Sequence, residues 1–274
     1  FGVDDQRTMH MLFLGNKKFP GENEWATFLS DHGGEDNGET SWETTTFYFD
    51  VEPKYLKPAL ERFAAFFVAP TFDFDASERE VKAIESEFQQ AKHRDGDRVS
   101  QLRCHLCADG HPHKGFGWGD ARSLVDQPAA AGVDVRAEMH KFHESHYSAN
   151  LMTAVVVGFE GLDELQALAV DTLAPISDRD VVRPAFGGAG RPPPAPPPVA
   201  LPRVVRVVPQ KKARTLELSW SLPPLRPHVR AKPAEYVEHL LGHEGKGSAL
   251  ALLKARGLAT SLYAGAEDDE ETSA

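Results

Sequence analysis

The chain has 274 residues, 41% of them hydrophobic, which is enough for one large or two modest domains with buried cores. Its net charge of −11 argues against nucleic acid or an anionic membrane surface as a partner, because both attract an excess of Lys and Arg. No apolar run approaches the ~20 residues that a membrane-spanning helix needs, so we expect no membrane span.

Apolar spacing and helix-start signals in the first two thirds of the chain predict a series of helices. The segments predicted to be helical are 23–31, 53–68, 76–94, 98–109, the stretch after Asp134 and 161–175. Near the start of the third segment, Ser77 and Glu80 fit the S-x-x-E pattern of a capping box. The Gly-rich residues 32–41 are predicted to form a turn.

Runs of β-branched and aromatic residues predict strands on both sides of a proline-rich linker. The predicted strands are 42–51, 150–159, 203–208, 215–221 and 259–265, and further helices are predicted at 233–242 and 247–256. Residues 192–202 contain seven prolines, which favour an extended spacer over a ligand for an SH3-type domain. The acidic run Glu267–Glu271 is predicted to be a solvated tail.

His10 is the first candidate metal ligand, because it stands directly before the apolar run Met11–Leu14. In the inverted zinc motif H-x-x-E-H, a final histidine at position 10 requires a histidine at position 6 and a glutamate at position 9. The chain has Gln6 and Met9 there. A glutamine amide is a poor zinc ligand and a methionine cannot take a proton from water, so the local pattern favours a surface histidine.

Two acidic residues in the segment 76–94 share one helical stripe. Glu80 and Glu87 lie seven positions apart and border the apolar residues Ile84 and Phe88. A carboxylate beside an apolar face needs a partner, which makes both residues candidate ligands. Judged locally, the capping box for Glu80 and a salt bridge for Glu87 are the favoured interpretations.

The only two cysteines, Cys104 and Cys107, exclude a disulfide framework and predict a reducing compartment, the cytoplasm or alternatively the mitochondrion. Together with His105, His111 and His113 they form a cluster that offers zinc ligands. A lone C-x-x-C is a weak signal, however, and both cysteines also fit the apolar side of a helix. The cluster therefore stays a minor alternative.

Three further histidines, His140, His143 and His146, are spaced by three residues. On a helix such positions fan over about 120°, so they do not converge on one ion. We expect them to serve local packing instead.

From His10 onward the chain resembles the insulinase/pitrilysin family of zinc metallopeptidases. The resemblance follows family order across nearly all of residues 10–265. The segments that carry it are HMLFLGNKKFPGENEWATFLSDHGG, ETTTFYFDV, ALERFAAFF, REVKAIESE, DVRAEMHKFHESHYSANLM and GHEGKGSALALLKARG. It implies an α+β fold, an antiparallel sheet with helices packed on one face, and a zinc-dependent endopeptidase that acts on peptide substrates.

The resemblance also implies roles for individual residues. His10 falls on the family's second zinc histidine and Glu87 on its glutamate ligand, whereas Glu80 falls on the acid that steadies the site from outside the ligand set. Asn37 and Gly38 fall on the region where the family holds the substrate backbone by strand addition.

The chain departs from the family where the chemistry is concentrated. The first zinc histidine falls on Gln6 and the catalytic glutamate on Met9, so no catalytic residue is assigned. The sharp break before His10 favours an artificial junction over slow decay in a non-catalytic paralogue. Loss of the general base alone costs ~10²–10⁴ in rate, so we expect no measurable peptidase activity and weak zinc binding.

We therefore expect a fragment of an insulinase-type zinc metalloendopeptidase, built as three parts. Residues 1–183 would form a metallopeptidase-like domain that lacks its first strands, 184–202 a linker, and 203–274 the start of a second similar domain with an acidic tail. The expected partners are peptides and either the missing C-terminal half or a homologous subunit. The main alternative is a non-catalytic peptide-binding or processing subunit.

Overall fold

The structure, a computed structural model, describes residues 3–184 apart from 42, 108 and 110–113, and residues 204–266 apart from 221, 223, 224, 226 and 227. Of residues 3–7 it describes the backbone only. The chain divides into two compact units, which hold the described residues of 1–105, 115–184 and 207–211, and those of 106–114, 185–206 and 212–274. The predicted linker beyond Pro184 and the acidic tail fall outside the described residues.

Helices dominate the described residues, and most of them lie where the apolar spacing predicted them. They are α1 Val3–Leu12, α2 Glu24–Asp31, α3 Leu56–Val68, α4 Phe74–Ala91, α5 Asp95–Leu106, α6 Gln127–Ala130, α7 Val135–His146, α8 Leu162–Leu173, α9 Pro233–Gly242 and α10 Ala249–Ala255. A π-helical turn at Arg122–Asp126 leads into α6, and short 3-10 turns form at Pro53–Tyr55 and Ala149–Leu151.

A two-stranded antiparallel sheet joins β1, Asp36–Thr40, to β2, Thr45–Phe49. β2 confirms the centre of the strand predicted at 42–51. The prediction of a turn for 32–41 was wrong for the residues of β1, because β2 supplies hydrogen bonds that a Gly-containing segment with low strand propensity would not find alone. Gly38 lies opposite Phe47 in the register.

Four other predicted strands do not form within the described part of the chain. The described residues of 150–159, 203–208, 215–221 and 259–265 belong to no sheet, and the pair β1–β2 is the sheet that the described residues contain. Val155, Val157 and Phe159 are 84%, 85% and 89% exposed. A strand needs a neighbour to take up its backbone hydrogen bonds, and the residues that the structure describes supply none to these segments. The described fold is therefore mostly helical, with a smaller sheet than predicted.

The core of the first unit lies between α1, α2, α3 and the sheet. Leu12, Trp25, Phe66 and Phe72 are at most 3% exposed and belong to one cluster. The indole of Trp25 packs edge-on against Phe66 at 5.3 Å. Its Nε1 donates a hydrogen bond of 2.8 Å to Asp36, which ties α2 to β1. This core fixes α1 and β1, two of the elements on which the candidate site depends.

Candidate functional site

His10 lies in the last turn of α1 at the edge of the core. The two residues that follow it, Met11 and Leu12, are almost completely buried and anchor this end of the helix. The His10 side chain remains 23% exposed. The apolar run after His10 thus fixes the backbone, while the imidazole lies where a ligand could reach it.

The His10 ring is paired with Glu80 of α4. Its Nδ1 lies 2.8 Å from Oε1 of Glu80, whose side chain is 16% exposed. Burial alone would lower the pKa of His10, but the hydrogen bond and charge of Glu80, with the charge of Glu87, outweigh burial and raise it. A carboxylate only accepts, so Nδ1 carries the shared hydrogen and Nε2 is the nitrogen left for another partner.

The pairing of Glu80 corrects the capping box predicted for Ser77 and Glu80. α4 begins at Phe74, and its N-cap is Asp73, whose Oδ1 accepts a 3.0 Å hydrogen bond from Ala76 N. Ser77 is buried inside the first turns of the helix. Because the helix starts earlier than the spacing indicated, Glu80 lies well inside it and is available to His10.

Glu87 follows Glu80 by two helical turns on α4. It is exposed and acts on His10 through its charge, as one of the causes that raise the pKa of the ring. The structure therefore brings His10, Glu80 and Glu87 into one electrostatic neighbourhood, with the direct contact made by Glu80.

Met9 occupies the position at which the family resemblance requires a catalytic glutamate. It is 6% exposed and lies against β1: a Cβ added at Gly38 would come 2.7 Å from its Sδ and 3.3 Å from Phe13. Two positions that the sequence analysis singled out separately are thus in contact. Gly38 permits the close approach because it has no side chain.

The register of the sheet determines which backbone groups of β1 face outward. Asp50 N donates to Glu35 O and Ser41 N donates to Thr44 O, so the pairs that exchange hydrogen bonds fall on the odd-numbered residues of β1. The N–H and C=O of Gly38 therefore point away from β2, toward the outer edge of the strand. Such an edge is a template for an added extended segment.

The donor set around His10 fits zinc only in part. A histidine that is held by a carboxylate at Nδ1 and offers Nε2 has the arrangement of a metal-bound imidazole. The remaining donors do not fit: Met9 is an apolar side chain packed on Gly38, and position 6, one helical turn before His10 on α1, carries glutamine. No group of three His, Cys, Asp or Glu residues suited to a metal occurs among the residues that the structure describes. The part of the chain that the structure describes therefore holds no complete zinc site.

The cysteine cluster gains no support from the structure. Cys104 and Cys107 are both thiols near the end of α5. Burial raises the pKa of the Cys104 thiol, which disfavours the thiolate that zinc requires. His111 and His113 lie outside the described residues.

The α7 histidines serve packing, as expected. His143 is 4% exposed and stacks on Tyr147 at 5.1 Å, and His146 stacks on Phe142. Burial, with the charges of Arg179 and His140, lowers the pKa of His143 to about 4. This histidine is therefore neutral at physiological pH.

The second unit contains a cleft that the sequence analysis did not single out. It measures about 520 Å³ and is lined by α9 and residues 262–264. His239 and His243 lie on its wall with ring centroids 5.7 Å apart. The spacing of these histidines, one turn apart with Glu235 a turn earlier, was the signal available in the sequence. His243 Nδ1 already accepts a hydrogen bond from Gly245 N, so we assign no metal to the cleft.

Two family models match the chain. One, described as Insulinase (Peptidase family M16), matches residues 8–112, and the other, Peptidase M16 inactive domain, matches residues 134–273. Within the described residues no helix is both long and apolar enough to cross a membrane.

Similarity to individual proteins supports the same family. The chain is 42% identical to a nardilysin-like protein of Arabidopsis thaliana over 260 residues, and 40% identical to human insulin-degrading enzyme over 261 residues. These alignments cover 95% and 94% of this chain but 25% of either relative. The solved structure of pitrilysin superposes with a TM-score of 0.78 at 27% identity, over 97% of this chain and 27% of pitrilysin. Since the second family model alone covers half of its residues, the chain belongs to the insulinase family of peptidases, M16.

Proposed function

We propose that this chain is part of an insulinase-type zinc metalloendopeptidase, and that with Gln6 and Met9 as they stand it cleaves no peptide. The observation that carries the proposal is the meeting of His10 with Glu80, under the charge of Glu87, beside the edge strand β1. Because the chain spans about a quarter of its curated relatives, the activity of a whole protein is itself part of the proposal.

In this proposal each residue has a distinct role. His10, through Nε2, and Glu87 are two of the zinc ligands, and Glu80 orients the His10 ring. Bound zinc would polarise the scissile carbonyl and activate a water. Gln6 and Met9 stand in place of the remaining ligand and the general base, so the chain retains the orientation of one ligand but not the chemistry.

We further propose that residues up to 183 belong to a metallopeptidase domain and that 203–274 begin a second one. The exposed apolar side chains of 153–159 support this, because a strand-prone segment with no neighbour fits a sheet completed by other strands. A C-terminal half or a homologous subunit would be the natural partner.

Restoring the missing donors tests the proposal directly. The double variant Gln6→His and Met9→Glu should bind zinc stoichiometrically, whereas the parent chain should bind it at least tenfold more weakly. Metal content after dialysis and zinc titration calorimetry give the readout without any activity assay. Glu87→Gln in the restored background should remove the gain.

The matched control is Glu78→Gln, an exposed acid on the same helix, which should leave the gain unchanged. If the restored chain binds no more zinc than the parent, or if Glu87→Gln and Glu78→Gln behave alike, the proposed ligand set is wrong.

The second candidate function is peptide binding without cleavage. It is favoured by the backbone of β1 at Gly38, which faces away from β2 toward the outer edge of the strand. Fluorescence anisotropy with a labelled extended peptide should show saturable binding, and mass spectrometry of the same mixture should show the peptide intact. Absence of binding would exclude this function.

A further inference from the structure

The outer edge of β1 carries a hydrogen bond made by the strand's own side chain. Asn37 Oδ1 accepts a 2.8 Å hydrogen bond from the N–H of Gly38, the next residue in the strand. The register shows that this N–H points away from β2. An outward donor that would meet an incoming strand is therefore already in use.

The arrangement depends on the two faces of β1. Exposure alternates along the strand, with Asn37 and Glu39 on the exposed face and Gly38 turned toward Met9 and Phe13. The Asn37 side chain thus stands in solvent and folds over the edge to reach the amide of its neighbour. Asparagine forms such local side-chain to backbone hydrogen bonds readily.

Exposed strand edges attract other strands, and proteins protect them with local features. A side-chain oxygen on an outward N–H removes a donor from the template without changing the strand geometry. An extended peptide would replace one amide oxygen, Asn37 Oδ1, by another, a peptide carbonyl. This exchange of acceptors is close to neutral in hydrogen-bond energy. The hydrogen bond from Gly38 N–H to Asn37 would therefore weaken peptide binding modestly and would not abolish it.

We propose that Asn37 is a built-in cap on the β1 edge, which an extended peptide must displace before it can pair with Gly38. The inference rests on the strand-addition mode of the proposed function, and it adds a residue that tunes access to that edge. Asn37 acts through the Gly38 amide and is a positioning residue.

The first measurement concerns the free protein and needs no ligand. Hydrogen exchange of the Gly38 amide, corrected for the intrinsic rate of each sequence, should accelerate about three- to tenfold in Asn37→Ala. Asn37→Asp keeps an oxygen acceptor and should exchange like the parent or more slowly. Glu39→Ala is the matched control, since Glu39 shares the exposed face but its backbone faces Thr46 of β2. Equal Gly38 exchange in Asn37→Ala and the parent overturns the cap.

The second measurement uses a fluorescein-labelled, uncharged nonapeptide of alternating Thr and Val. Asn37→Ala should tighten its binding about two- to fivefold, and Asn37→Asp and Glu39→Ala should not. The same peptide with alternate amides N-methylated should lose the gain, because it cannot pair with a strand edge.

The two arms separate failure of the cap from failure of the proposed function. Weaker binding of the nonapeptide by Asn37→Ala would show that Asn37 contacts the peptide directly and would overturn the cap. If no variant binds any peptide while Gly38 exchange still accelerates in Asn37→Ala, the cap is supported as edge protection and strand addition is excluded.

Discussion

Two segments of the first unit have similar sequences and different fates. β2, Thr45–Phe49, and residues 153–159 are both runs of β-branched and aromatic residues. In β2, Phe47 packs against Phe13 at 5.7 Å and against Phe67 at 5.3 Å, and the backbone pairs with β1. In 153–159 the side chains of Val155, Val157 and Phe159 are exposed. Strand propensity therefore becomes a strand only where a neighbour takes the hydrogen bonds and a core takes one face.

The largest loss of stability should follow from a substitution in the core that packs against β2. Phe66→Ala removes a ring that is 1% exposed and makes edge contacts with Phe13 and Trp25. We expect the free energy of unfolding to fall by ~3–5 kcal/mol, from lost burial and the cavity left behind. Phe159→Ala, at a ring that is 89% exposed, should change it by less than ~0.5 kcal/mol. Urea denaturation of both variants measures the contrast, and equal losses would contradict it.

The second largest effect is a pH dependence of the free energy of unfolding, which we expect to come from the buried His143. Its pKa is about 4 in the folded protein against an ordinary 6.5. Between these two pH values the unfolded chain binds a proton at this ring that the folded protein does not bind. The stabilisation is fully present above pH 6.5 and is lost as the pH falls toward 4. The loss should reach about 3 kcal/mol at most, at 1.36 kcal/mol for each unit of pKa shift.

Urea denaturation between pH 4 and 7 measures this dependence. His143→Leu, which replaces the ring by an apolar group of similar size, should flatten the slope between pH 6.5 and 4. His239→Leu, at an exposed histidine, is the control and should retain the parent's slope. A parent slope that persists in His143→Leu would mean that other groups dominate.

The sequence predicted the helices better than the sheet or the site. α3 and α9 follow from apolar spacing, and α7 follows from Asp134, whose side chain caps its first turn; all of these signals act within a few residues. β1 was missed because its order comes from a partner strand, which local propensity does not report.

For the site, local reasoning undervalued both His10 and Glu80. They lie 70 positions apart in the sequence and 2.8 Å apart in space, a pairing that only the family resemblance suggested. Spacing along one helix finds partners within a few turns and cannot find a partner on a different helix.

A smaller effect should follow from the bond that joins α2 to the sheet. Trp25→Phe keeps most of the buried ring but removes the 2.8 Å hydrogen bond from Nε1 to Asp36. We expect a loss of ~1–2 kcal/mol, including the cost of leaving the Asp36 carboxylate without this donor. Trp220→Phe, at an indole that is 66% exposed, should be nearly neutral in the same thermal or urea measurement. A neutral Trp25→Phe would mean that the hydrogen bond adds nothing to the packing of the ring.

The smallest change in stability should come from the unpaired segment itself. Val155→Thr with Val157→Thr keeps β-branching and replaces exposed methyl groups by hydroxyls, so the free energy of unfolding should move by less than ~0.5 kcal/mol. The matched buried change is Val81→Thr, at a side chain only 6% exposed, which should cost ~1–3 kcal/mol because its hydroxyl is desolvated.

Self-association should change more in the exposed double variant than in Val81→Thr, the reverse of the order expected for stability. Exposed, strand-prone apolar residues favour edge-to-edge pairing between molecules, so the double variant should shift size-exclusion profiles toward the monomer while Val81→Thr should not. A loss of more than ~1 kcal/mol in the double variant would show that 153–159 is covered in solution, since surface changes of this kind rarely exceed ~0.5 kcal/mol. Residues 153–159 would then pair with another molecule, whereas β2 pairs with β1 of the same chain. The two segments would differ in the identity of their partner and not in whether they have one.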